Sequence, residues 1–254
     1  MNPRGVLYPE VLPTFERRLP AENAAHLVRW FWIPQWDIAP GRVSRQELLP
    51  FPALNLVVQA SGVEVCGATT ARSHKDLIGR GYAVGALLRP AATPVVTGDA
   101  SSILDRGIAV DLPELHWPVV KAMEQPDVSA ACTAFEAWLT GAAPTVPYEA
   151  LLANRLVTLI EDDETLITVK DVASATGTSV RTVQRITRKY VGLSPLSMIH
   201  RRRLQRAAEL SRTQPKLPMA QIAAELGYAD QAHLIRDFRK VLGFTPGGYR
   251  RETQ

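Results

Sequence analysis

One block of this 254-residue chain is written twice near its C-terminus, and that duplication restricts the fold more than any other feature. Ile222-Ala223 and Gly227 repeat Val172-Ala173 and Gly177 at a spacing of 50. Val183, Arg185, Lys189, Gly192 and Pro195 recur at a spacing of 51 as Leu234, Arg236, Lys240, Gly243 and Pro246. In each copy a short apolar helix runs into a glycine that accepts the left-handed backbone of a tight turn, and a second helix follows, from about Ser179 to Tyr190 in the first copy. The next glycine ends that helix, and Ser194-Pro195 or Thr245-Pro246 starts another, with the hydroxyl at the N-cap and proline at the first helical position. Ahead of the first copy, Thr168-x-x-Asp171 has the form of a capping box. A single helix-turn-helix pattern is indistinguishable from a plain helical hairpin; the same pattern built twice is not.

The outward faces of the second helices suggest what the repeat is for. In the first copy Val180, Val183, Ile186 and Tyr190 follow core spacing, which leaves Arg181, Gln184, Arg185 and Arg188 on another face at i, i+3, i+4 and i+7. Arginine matches guanine O6 and N7 through a bidentate fork, and glutamine does the same for adenine, each good pair being worth about 1–3 kcal/mol of base discrimination. In the second copy Leu234, Phe238 and Val241 point inward, while Ala232, Ile235, Arg236 and Arg239 share a face flanked by Gln231 and His233. Ala232 and Ile235 are too apolar for a merely solvated face; contact with thymine methyls explains them, and packing on another domain is the alternative for Ile235.

Between the copies, Ser194 to Leu210 carries Met198-Ile199, Leu204, Ala207-Ala208 and Leu210 at helical spacing beside Arg201-Arg202-Arg203 and Arg206. One helix of about 16 residues spans roughly 24 Å, enough to hold two recognition helices about one DNA turn, near 34 Å, apart once their widths are added. Arginines on it are expected as phosphate anchors, with pairing to carboxylates such as Glu209 as the alternative.

Charge divides along the chain in the same way. Residues 1–165 hold 13 Lys+Arg against 19 Asp+Glu, a net −6, whereas residues 166–254 hold 16 against 6, a net +10. A basic module attached to an acidic one suits phosphate binding by one half and a different task for the other. The acidic run Glu161 to Glu164 is the expected boundary, giving domains 1–160 and 161–254. Upstream, short β-branched runs such as Leu54 to Val58, Val63 to Cys66 and Tyr82 to Leu88 predict a β-rich domain. From Pro113 the spacing becomes helical: Trp117, Val120 and Met123; then Cys132, Phe135, Trp138 and Leu139; then Leu151, Leu152, Leu156, Leu159 and Ile160. The predicted class is α+β with two domains: β-rich with trailing helices, then all-α with two helix-turn-helix motifs joined by a linker helix. Trp30, Phe31, Trp32 and Trp36 suit either an apolar pocket or ordinary core. Trp117, Val120, Phe135, Trp138, Leu151 and Leu156 suit either a dimer interface or packing on the chain's own sheet.

The C-terminal signature resembles the AraC/XylS family of bacterial transcription regulators: Ile222-Ala223, Gly227-Tyr228, His233-Leu234, Arg236, Phe238-Arg239-Lys240, Gly243, Thr245-Pro246 and Tyr249-Arg250, with Arg203-Leu204-x-x-Ala207 upstream. Tyr228 departs from the phenylalanine usual in that family, which should only add a hydroxyl at the turn. The resemblance covers about 90 residues and implies tandem motifs whose second helices enter successive major grooves of double-stranded DNA. Base contacts then fall on Arg181, Gln184, Arg185, Gln231, Ala232, His233, Ile235 and Arg236, and phosphate contacts on Arg188, Arg201, Arg202, Arg203, Arg239 and Lys240. It also implies activation of transcription with RNA polymerase as a partner, and an N-terminal, cupin-like domain that senses a small-molecule effector or forms a homodimer. No effector-binding residue follows from it.

Enzymatic readings find no support in the residues. Alkylation-repair proteins with a related DNA-binding module need clustered cysteines, and only Cys66 and Cys132 are present, without a flanking cation to lower a thiol pKa. His26, His74 and His116 are scattered, so neither a metal-dependent cupin enzyme nor any metal or other cofactor is expected. No stretch approaches the roughly 18 apolar residues of a membrane span; a soluble, cytoplasmic protein with no membrane partner is expected.

Overall fold

A computed structural model describes residues 14–48, 50–214 and 216–242. Gly243, Thr245, Pro246, Tyr249 and Arg250, which carry the end of the repeat and of the tail signature, lie outside the described residues.

The N-terminal part is β-rich, as its sequence predicts. Its main sheet is antiparallel, in the order β1 (Thr14–Arg18), β2 (Val28–Asp37), β8 (Val84–Leu88), β4 (Asn55–Gln59), β5 (Gly62–Cys66) and β9 (Gly107–Val110), with β7 (Arg80–Tyr82) also on β2. A separate antiparallel pair, β3 (Ser44–Leu48) with β6 (Ser73–Leu77), completes the strands among the described residues. Side chains alternate across the pleat, so each strand sorts its residues onto two faces. On β2, Phe31 and Ile33 are fully buried in the core, whereas Trp30, Trp32 and Trp36 fall on the other face beside a cavity. Leu56, Val58, Val63 and Val65 of β4 and β5 join the core side. Gly85, paired with Trp32, is required by close approach: a Cβ there would lie 2.1 Å from the Trp32 ring.

Helices α2 (Pro113–Glu124) and α3 (Val128–Ala142) cover the core face, with the rings of Phe31 and Phe135 5.6 Å apart edge to face. Trp117, weighed for an interface or for packing on the chain's own sheet, does not pack on the sheet. Leu115, Val119 and Met123 form the buried stripe at i, i+4 and i+8, and Trp117, about 200° around the helix from Leu115, is 67% exposed. Phe135 and Leu156 are fully buried and Leu151 is exposed, so the six apolar residues weighed as one interface do not share one surface.

The short α1 (Thr93–Val96) precedes these helices, and α4 (Tyr148–Asp162) follows them. Ala150, Ala153, Leu156, Val157 and Ile160 of α4 are buried in one core with the first motif, made of α5 (Val169–Ala175), α6 (Val180–Val191) and the start of α7 (Pro195–Thr213). An adjoining side of α4 is pinned to the β-rich part. Asn154 Nδ2 donates to the His26 carbonyl (2.8 Å), its Oδ1 accepts from Ala91 N–H (2.8 Å), and Glu161 pairs with Arg29 (2.6 Å). The second motif, α8 (Met219–Glu225) and α9 (Gln231–Leu242), has its own core with the later part of α7: Leu204, Ala207, Leu210, Ile222, Ala223, Tyr228, Leu234 and Phe238. The linker helix is thus one continuous 19-residue element whose two ends belong to different cores. Among the described residues no helix is long and apolar enough to cross a membrane.

Candidate nucleic-acid interface

The duplication in sequence is a duplication in geometry. In the first motif Gly177, at φ +63°, donates to Ser174 O (3.2 Å) and Thr178 N–H donates to Ala173 O (2.9 Å). In the second, Gly227, at φ +69°, donates to Ala224 O (3.1 Å) and Tyr228 N–H donates to Ala223 O (2.8 Å). Every atom pair corresponds at the spacing of 50, and the left-handed backbone explains the glycine in both copies. Caps set where the helices start. Thr168 Oγ1 accepts from Asp171 N–H (3.2 Å) while Asp171 Oδ2 accepts from Thr168 N–H (2.7 Å), the reciprocal capping box read in the sequence. Ser179 caps α6 through Thr182 N–H, and Asp230 Oδ1 accepts from His233 N–H at the start of α9.

Both second helices bury the residues their spacing predicts: Val183, Ile186 and Tyr190 on α6, Leu234 and Phe238 on α9. Arg181, Gln184, Arg185 and Arg188 are exposed along α6. Gln231, Ala232, Arg236, Arg239 and Lys240 are exposed along α9, with His233 and Ile235 half-buried between them. Each motif therefore presents a donor-rich strip to solvent.

The arginine run on α7 does something other than what its charge suggests. Arg201 and Arg202, expected as phosphate anchors, are buried and occupied by backbone carbonyls. Arg201 Nη2 donates to Thr69 O (2.5 Å) in the β-rich part. Burial lowers the Arg201 pKa to about 10, which leaves it charged at neutral pH, and nearby Asp105 opposes that shift. Arg202 donates to the carbonyls of Ile160 and Leu166 (2.7 Å each) and of Asp163. The physical reason is their place on α7: consecutive helical residues point about 100° apart, so Arg201 meets the β-rich part at Thr69 while Arg202 meets the end of α4 and the loop after it, where unpaired carbonyls collect. Arg203 Nε donates to Leu226 O (2.6 Å), and its guanidinium lies 4.2 Å from the Tyr228 ring centroid, so it braces the second turn. Arg206 pairs with Glu209 (3.0 Å) and Glu164 (3.5 Å), the alternative weighed for it. Of the expected phosphate contacts, Arg188, Arg239 and Lys240 remain exposed.

Tyr228 adds more than a hydroxyl at the turn. It is buried, its Oη has no hydrogen-bond partner among the described residues, and burial pushes its pKa up to about 12. An unpaired buried hydroxyl carries a desolvation cost, so Tyr228→Phe is expected to raise stability by about 1 kcal/mol in urea unfolding. A loss of similar size would show that the hydroxyl is bonded in solution.

One residue that sequence reasoning missed sits against this interface. Glu149, in the first turn of α4, reaches Arg185 Nη2 with Oε1 (2.6 Å) and accepts from Tyr190 Oη with Oε2 (3.3 Å), and Lys189 Nζ stands 3.6 Å from Oε2. The hydrogen bond from Arg185 is the main reason its carboxyl is held below the usual range. Nothing in the local sequence marks it, because the partners are 36 to 41 residues away.

A second feature lies in the β-rich part: a cavity of about 290 Å³ between the main sheet and the β3–β6 pair. Trp30, Trp32, Trp36 and Phe51 line it, with Asn55 and Gln59 among its polar groups. Trp32 Nε1 donates to Asn55 Oδ1 (3.0 Å) and Trp36 Nε1 to Ile78 O (3.3 Å), which leaves ring faces as the surface offered to the cavity. Phe31 of the same cluster is core. Cys66 lines the cavity as well, and burial pushes its thiol up to about 12, as it does Cys132, so both stay protonated at neutral pH.

Comparison with known proteins adds family context. Residues 172–252 match the pattern described as a helix-turn-helix domain, and residues 16–108 match a domain of unknown function (DUF6597). A Streptomyces antibioticus protein named as an AraC-like transcription regulator is 30% identical over 171 residues, 64% of this chain and 54% of that protein. The F1 operon positive regulatory protein of Yersinia pestis is 32% identical over 102 residues, 39% of this chain and 34% of its own. Among solved structures, the C-terminal domain of AraT, a response regulator from Geobacillus stearothermophilus, is 28% identical, covering 39% of this chain and 82% of that one at a TM-score of 0.35. The chain spans about half the length of the first of these relatives and about a third of the second.

Proposed function

From the premise that residues 172–252 are an AraC-type helix-turn-helix domain of a transcription regulator, we propose that the whole chain is a sequence-specific, double-stranded-DNA-binding regulator that reads two adjacent major-groove segments with α6 and α9. The observation that carries this reading is the pair of geometrically equivalent motifs, each presenting an exposed donor-rich strip, on the two ends of one rigid helix. Base readout is assigned to Arg181, Gln184 and Arg185 on α6 and to Gln231, Ala232, His233, Ile235 and Arg236 on α9. Backbone positioning is assigned to Arg188, Arg239 and Lys240. Residues 161–254 are read as the DNA-binding domain and residues 1–160 as the regulatory one. The cavity favours a small-molecule sensor over a purely assembling domain, because its size and aromatic walls suit a compact apolar ligand. Activation is proposed by analogy with the relative named as a positive regulatory protein, and RNA polymerase as a partner and a bacterial cytoplasm as the location are carried only by the family resemblance.

The test is in-vitro selection of bound genomic fragments by the full chain at two salt concentrations. The expected result is an enriched motif with two blocks about one helical turn apart. Uniform, steeply salt-dependent recovery would reduce the protein to a backbone binder and overturn the reading.

A further inference from the structure

We propose that Glu149 is a specificity-setting residue: it latches Arg185 away from the DNA bases, so that engagement of a cognate site requires this ion pair to open. The inference rests on the assignment of Arg185 to base readout. An exposed ion pair is ordinarily a weak and incidental contact. This one is built differently. The carboxylate is held by three residues of α6, by Arg185 and Lys189 from its exposed side and by the hydroxyl of the buried Tyr190, and it comes from outside the repeated unit, on a helix that Asn154 and Glu161 pin to the β-rich part. The bond from Arg185 uses a terminal guanidinium nitrogen, Nη2, one of the nitrogens a bidentate fork on guanine needs. While Nη2 holds Glu149, the guanidinium is turned toward the carboxylate and one N–H of that nitrogen is taken, so the pair competes with a fork on a base. A carboxylate beside the reading strip also repels approaching phosphates, which adds to the threshold.

The two effects of that carboxylate separate experimentally. General repulsion penalises every duplex alike, whereas the latch penalises only the complex in which Arg185 reads a base. Glu149→Gln removes the charge and keeps the side chain's length. Binding of the full chain would be measured by fluorescence anisotropy on two probes, a duplex recovered by selection and a composition-matched scrambled duplex. On the selected duplex the affinity is expected to rise about 3–10-fold, on the scrambled one less than about 2-fold, and in an Arg185→Ala background the gain is expected to vanish. An equal gain on both duplexes that survives Arg185→Ala would make Glu149 a mere source of repulsion and overturn the latch. Weaker binding to the selected duplex would overturn it too, making Glu149 a brace that aims Arg185. Glu149→Asp, which keeps the charge but shortens the reach, is expected to give part of the selective gain, and stands in if the Gln variant fails to fold. Exposed Glu114→Gln on α2 controls for a change in net charge. The underlying assignment is tested apart from the latch: if Arg185→Ala alone leaves discrimination between the two duplexes intact, base readout by Arg185 fails, whatever Glu149 does.

Discussion

Arg202→Ala is expected to remove about 3–5 kcal/mol of folding stability and to leave the salt dependence of DNA binding unchanged. The residue is 8% exposed, and its guanidinium collects carbonyl oxygens from Ile160, Asp163, Leu166 and, at 3.4 Å, Glu164. Ile160 lies in the last turn of α4, where carbonyls have no partner within the helix and the helix dipole favours a cation. One side chain from α7 therefore caps α4 and fastens the loop that leads into α5. Alanine takes the arginine donor from the two buried carbonyls, of Ile160 and Leu166, at about 1–3 kcal/mol each before relaxation and water entry reduce the sum, whereas Asp163 O keeps the Leu166 N–H. Arg202→Lys should recover part of the loss, because an ammonium supplies charge but not a planar fork reaching both sides of the loop. Urea unfolding of the full chain measures this directly. Stability within 0.5 kcal/mol of the parent, together with a salt slope lowered by about one unit, would return Arg202 to the phosphate-anchor role.

Local rules made much of this fold legible, and they failed where distant segments meet. The capping box at Thr168, the left-handed glycines at 177 and 227, and the buried spacing of Val183, Ile186, Leu234 and Phe238 are properties of a few consecutive residues, and each has its predicted place. The alternation that put Trp30, Trp32 and Trp36 on one face of β2 is equally local, but whether that face met core or cavity depended on the β3–β6 pair above it. The sequence contains the run Arg201-Arg202-Arg203, and charge alone reads it as a surface. Its burial follows from carbonyls at Thr69 and at 160 to 166, positions that no spacing rule connects to α7. The side taken by Trp117 stayed open in the sequence for a different reason: two stripes on α2 have apolar residues, and only contact with the sheet selects Leu115, Val119 and Met123.

Arg236→Ala is expected to relax base preference more than its counterpart Arg185→Ala does, although the two occupy equivalent positions in the repeat. A good bidentate contact is worth about 1–3 kcal/mol of discrimination, and Arg236 should show the upper part of that range because it is exposed with no ion pair among the described residues to give up. Arg185 must first leave Glu149, so the free energy its contact returns is net of that separation. The asymmetry should be abolished by Glu149→Gln, which frees Arg185 to contribute as Arg236 does. Arg239→Ala supplies the contrast: as a phosphate contact it should weaken selected and scrambled duplexes alike and lower the salt slope by about one unit. Competition binding against duplexes substituted one base pair at a time would resolve the three cases. Equal losses on every sequence for Arg236→Ala would place that residue on the backbone and leave α9 reading bases through Gln231, Ala232, His233 and Ile235 alone.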